Sequence, residues 1–133
     1  MKSLSKFFAA FLLLTQFSQA ITPLPSKPGN LRLTGVKEVE VATSISEALN
    51  RVSAQVMACM ERQNGNKDGC TCETRGNCPA KQEFDFLIKV FCKAMARYPE
   101  WKSHDLVFQK QGGPPGHVLS TKNLYLHFGR ECR

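Results

Sequence analysis

The sequence predicts a small disulfide-stabilised α+β domain, two amphipathic helices packed on a short antiparallel sheet. Three observations point there: two long segments carry apolar residues at helical spacing, shorter ones alternate apolar and polar residues, and the chain holds six cysteines. The alternative is a mainly α-helical hairpin with irregular ends.

The first twenty residues read as a secretory signal peptide. Lys2 and Lys6 supply a positive start, Phe7 to Leu14 is uninterruptedly apolar, and Ser18-Gln19-Ala20 offers small residues for cleavage after Ala20. The apolar run is far shorter than the roughly 20 residues a spanning helix needs, and no later stretch is apolar enough to span. The expected mature chain is therefore exported, secreted or periplasmic. Residues 21–30, ITPLPSKPGN, hold three prolines and a glycine and read as an extended arm. Residues 31–133 form the expected single domain.

Within that domain, Leu31/Leu33 and Val39/Val41 alternate with polar neighbours, as half-buried strands do, with Gly35 as a turn or bulge between them. Thr43 to Gln63 is the first expected helix. Ser44-x-x-Glu47 fits a capping box, and Ile45, Leu49, Val52, Val56, Cys59 and Met60 fall on one face. Asn64-Gly65 and Asp68-Gly69 end it. The second helix is expected from Pro79, suited to a first helical position, to Tyr98, which precedes a terminating proline. Its apolar face is Phe84, Leu87, Ile88, Phe91, Met95 and Tyr98. Leu106 to Gln109 and Asn123 to Phe128 are expected strands, the second because Leu124, Leu126 and Phe128 alternate with Tyr125 and His127. GGPPG, Gly112 to Gly116, is a loop.

Cysteines in an oxidising compartment pair, so Cys59, Cys70, Cys72, Cys78, Cys92 and Cys132 are expected to form three disulfides. Bridging Cys70 to Cys72 would close a strained ring. Cys92–Cys132 is favoured, because it fastens the end of the chain to the second helix, leaving Cys59 for the loop cysteines. A soft-metal site from Met57, Cys59, Met60, Cys70 and Cys72 would need reduced thiols. Met57, Met60 and Met95 are expected to fill the core. No metal ligand or cofactor is assigned.

Charge suggests a partner. The chain has 18 basic and 11 acidic side chains, a net +7, and loses two lysines with the signal. Lys89, Lys93 and Arg97 repeat at i, i+4 and i+8, which aligns them on one side of the second helix opposite its apolar face, with Phe86 beside them. These four residues are the candidate surface for an acidic macromolecule or an anionic surface. Trp101 is expected to cap the core. The sequence contains no G-x-S-x-G, H-E-x-x-H, P-loop or dinucleotide fingerprint, and no catalytic residue is assigned. The functional expectation is a non-enzymatic binding or accessory protein. The alternative is a small secreted hydrolase such as a nuclease, with His117, Lys122 and His127 as the acid–base set.

Overall fold

A computed structural model of the chain describes residues 29–71 and 78–133. The expected signal peptide, most of the expected Pro-rich arm and Cys72 lie outside the described residues. The described part is a small α+β domain. Strand β1 (Asn30–Arg32) leads into helix α1 (Val36–Arg62). Helix α2 (Lys81–Arg97) comes next, then a 3₁₀ turn at Pro99–Ser103, strand β2 (Asp105–Phe108), strand β3 (His117–Leu119) and helix α3 (Thr121–Phe128). A second 3₁₀ turn, Gly129–Cys132, ends the chain.

The sheet has the order β1-β2-β3 and is mixed, not antiparallel as expected. β1 runs parallel to β2, with Leu31 opposite Leu106, while β3 runs antiparallel, with Val107 opposite Val118. A parallel pair cannot be closed by a tight turn and needs a crossover. Here α1 and α2 together make that crossover, which is why β1 and β2 lie so far apart in sequence.

Two expected strands are helical instead. Val39 and Val41 belong to α1, which begins at Val36 with Gly35 as its N-cap. Val39, Ala42, Ile45 and Leu49 continue the i, i+3, i+4 spacing of the expected helix backwards, so burial of that face carries the helix past the local alternation. Ser44 and Glu47 therefore sit inside the helix and form no capping box. The other correction is Asn123–Phe128, which lies in α3. The Ser120 side chain caps that helix by accepting from the Asn123 amide, and Leu126, expected to face inward, is 74% exposed. Tyr125 and Leu124 pack on the core instead. A Cβ at Gly129 would stand 2.8 Å from the Tyr125 ring, so this turn depends on a glycine.

The core forms where the two helices meet the sheet. Ala42, Ile45 and Ala48 from α1 and Leu87, Phe91, Ala94 and Met95 from α2 pack with Trp101, Leu106, Phe108 and Leu119. Trp101, expected to cap the core, packs within it: it is 1% exposed and stacks on Tyr98 at 4.4 Å between centroids. Of the methionines expected to fill the core, Met95 does so, while Met60 is only half-buried and outside the core cluster and Met57 is 67% exposed. Pro79 lies in the turn before α2, two residues short of the first helical position.

Two disulfides between described residues fasten the helices. Cys92 on α2 is bridged to Cys132, the pair favoured in the sequence, and Cys59 near the end of α1 is bridged to Cys70. Cys78 is also disulfide-bonded. α1 closes in a Schellman turn: Asn64 adopts a φ of 56°, and the Gly65 amide reaches back to the Met60 carbonyl at 2.8 Å.

The two bridges differ in what they hold. Apart from Cys59, the buried residues of α1 all lie between Ala42 and Ala48, so its second half rests on α2 and Cys59–Cys70. Cys92–Cys132 instead closes a 40-residue span across the core. Replacing both Cys92 and Cys132 by serine is expected to lower global stability by about 2–5 kcal/mol. Replacing Cys59 and Cys70 should mainly accelerate amide exchange after Val52, a local opening. Denaturant melts with residue-resolved hydrogen exchange on both variants check this. Equal global losses with no local change in the second variant would contradict it.

Candidate functional site

Helix α2 has two faces of opposite character. Leu87, Phe91, Ala94 and Met95 are buried, while Lys89, Lys93 and Arg97 are exposed. The spacing of four residues that aligns the basic groups also runs through Lys81 and Asp85. Asp85 is already paired with Lys81, at 2.8 Å. Lys89, Lys93 and Arg97 have no ion-pair partner among the described residues. Three neighbouring cations without counter-charges make a local positive field that an anionic surface would relieve.

Phe86 lies beside this line and is 44% exposed. Its ring has a neighbour that sequence periodicity could not reveal. The Arg51 guanidinium, from α1, stands 5.6 Å from its centroid. A cation over an aromatic face is held by the ring quadrupole. Arg51 thus extends the basic surface across the α1–α2 seam. At the other end of the line, Arg97 stands 5.5 Å from the centroid of Tyr98, which holds its charge near the end of α2. The candidate surface is therefore Arg51, Phe86, Lys89, Lys93 and Arg97.

The histidines have separate surroundings. His104 Nδ1 lies 2.8 Å from the Glu100 carbonyl oxygen. His127 stands near the Phe128 ring. His117 Nε2 is 3.0 Å from Ser46 Oγ, and its ring meets Phe108 edge to face. Neither Lys122 nor His127 is among its contacts. The Lys122 amide instead donates to the His104 carbonyl, fixing the start of α3 to the entry of β2.

The Ser46–His117 contact pairs a nucleophile type with a base type, so its setting matters. Ser46 is 4% exposed, within the packing of α1. No carboxylate contacts the His117 ring, so the third group that would orient a catalytic base is missing among the described residues. The contact joins α1 to β3 and satisfies a buried hydroxyl. Among the described residues no cluster of three or more His, Cys, Asp or Glu side chains could hold a metal. The bridge between Cys59 and Cys70 also consumes two of the thiols that a soft-metal site would use.

No protein-family model, curated protein or solved structure matches this chain.

His117 supplies a pH test of this packing. Burial, assisted by the Lys110 ammonium, holds it below the usual histidine range. The unfolded chain then takes up a proton near pH 6.5, before the folded chain does. The stability contributed by neutral His117 is complete above about pH 6.5 and is lost as pH falls through the lower folded value. The melting temperature is expected to fall between pH 7 and pH 5 more steeply in the wild type than in His117→Gln. Parallel slopes would show that folding does not change this group's proton affinity.

Proposed function

We propose that this chain is an exported, disulfide-stabilised, non-enzymatic binding or accessory protein. It engages an acidic macromolecule or an anionic surface through the outer face of α2. The observation that carries this reading is the row Lys89, Lys93 and Arg97, exposed and without ion-pair partners among the described residues, on a helix whose opposite face is buried in the core. Phe86 and Arg51 beside the row add an aromatic surface and a further cation. Because α2 is anchored by the core and by Cys92–Cys132, the charges stand on a rigid support. Little ordering cost then attends binding.

Export accords with the twenty-residue leader and with the disulfides, which are compatible with an extracellular or periplasmic location. Among the described residues no helix is long and apolar enough to cross a membrane. The binding reading is favoured over acid–base hydrolysis because the histidines contact different neighbours.

The test replaces Lys89, Lys93 and Arg97 together by glutamate. Glutamate is a good helix former and these positions are exposed, so folding should survive. Binding is measured on immobilised heparin and on anionic phospholipid vesicles over a range of salt concentrations. The wild type should bind at least one of them, more weakly as salt rises, and the variant should lose most of that binding. A folded variant with undiminished binding and the same salt response would show this face to be merely solvated.

A further inference from the structure

A cleft of ≈ 790 Å³ opens beside α1's first turns, within the size range of small-molecule sites. It lies where the parallel strands β1 and β2 both end, between those ends, the start of α1 and the loop after β2. Strand carboxyl ends beside a helix start are where open α/β sheets most often hold ligands. Position alone decides nothing, but Arg32 gives the cleft a specific chemistry.

Arg32 is the last residue of β1 and lines the cleft. One edge of its guanidinium, Nη2, is buried and has no hydrogen-bond partner. The rest of the group is neither hydrogen-bonded nor ion-paired among the described residues. A half-buried cation without an acceptor is unfavourable. Nη2 has no accessible surface, so an acceptor arriving from the cleft would pair with the rest of the guanidinium and relieve its charge. The other walls set the remaining terms. Val36, 76% exposed, Val39 and Pro115 supply apolar surface, while Glu40 and Glu47 add two carboxylates along α1. The planar fork of arginine matches a carboxylate. Two acidic wall residues oppose a ligand of higher negative charge.

We propose that this cleft binds a small organic monocarboxylate with an apolar body, its carboxylate on Arg32 and its apolar part against Val36, Val39 and Pro115. The site is separate from the basic face of α2 and does not depend on that face having a partner. Glu38 explains why the anion is assigned to Arg32 and not to the helix start. Its carboxylate folds back over Gly35, leaving no room there for a Cβ, and so already occupies the positive end of α1.

The test uses the mature full-length chain and three probes with one alkyl chain: octanoate, octanamide and octyl phosphate. Titrations are followed by calorimetry and by backbone amide shifts. Octanoate should bind best and shift amides of Arg32 to Glu40 and of Phe108 to Gly116. Arg32→Gln should weaken octanoate about tenfold or more, as loss of a charged hydrogen bond does, and leave octanamide unchanged. Arg32→Lys, which keeps the charge but not the fork, should fall between. It also serves as the test if the glutamine variant fails to fold. Replacing Glu40 and Glu47 by glutamine should selectively improve octyl phosphate. No octanoate binding, binding that is indifferent to Arg32, or shifts elsewhere on the protein would overturn the proposal. Octyl phosphate binding the wild type more tightly than octanoate would overturn the monocarboxylate assignment.

Discussion

β2 is the strand on which the rest of the structure depends. It is four residues long and carries the hydrogen-bond ladders to both neighbours, parallel to β1 and antiparallel to β3. Leu106, Val107 and Phe108 are all buried, so both sides of the strand are covered. The parallel ladder imposes the order of everything before it. A chain that leaves β1 must travel back along the sheet before β2 can begin beside it, and α1 and α2 are that return path. The antiparallel ladder governs the C-terminal part of the chain. β3 turns back at Gly112 to Gly116, and α3 then lies across the 3₁₀ turn that carries Trp101. At that junction Thr121 donates to the His104 carbonyl at 2.6 Å, and Ser120 to Asp105 at 2.7 Å. Both acceptors flank the start of β2.

Helix α2 couples this scaffold to the proposed activity. One side of it supplies a large part of the core, and the other displays three cations without ion-pair partners among the described residues. The division arises from helical periodicity alone, since residues four apart share a side. What fixes it in space is tertiary: packing on α1, the stacked Tyr98 and Trp101 at its C-terminal end, and the bond from Cys92 to Cys132. A partner would meet a surface whose orientation is set before contact. The Arg32 cleft lies at the ends of the strands, and α1 alone takes part in both places, through Arg51 near α2 and through Val36 to Glu47 at the cleft.

The parts legible in the sequence were those governed by local periodicity. The apolar faces of α1 and α2 can be read from residue spacing, as can the exposed basic line. The α+β class comes from mixing such segments with shorter alternating ones. Alternation over only a few residues misled at Val39/Val41 and at Leu124/Leu126/Phe128, because short windows satisfy both periods. Better signals were present in each place: Val39, Ala42 and Ile45 continue the helical face, and Ser120 stands three residues before Asn123 as a cap does. The parallel pairing of β1 was not legible, since a three-residue strand carries too little pattern to name a partner so distant in sequence. The same holds for Arg51 over Phe86, Ser46 against His117 and the uncompensated Arg32. Each is created by packing between remote segments, and no spacing rule connects them.

The dependence on β2 is tested most directly by backbone nuclear Overhauser contacts and amide exchange in the oxidised protein. Parallel-type contacts between Leu31 and Leu106, antiparallel-type contacts between Val107 and Val118, and β2 amides among the last in the molecule to exchange are expected. A β1 that shows no contact with Leu106, or β2 amides that exchange long before those of α2, would contradict it.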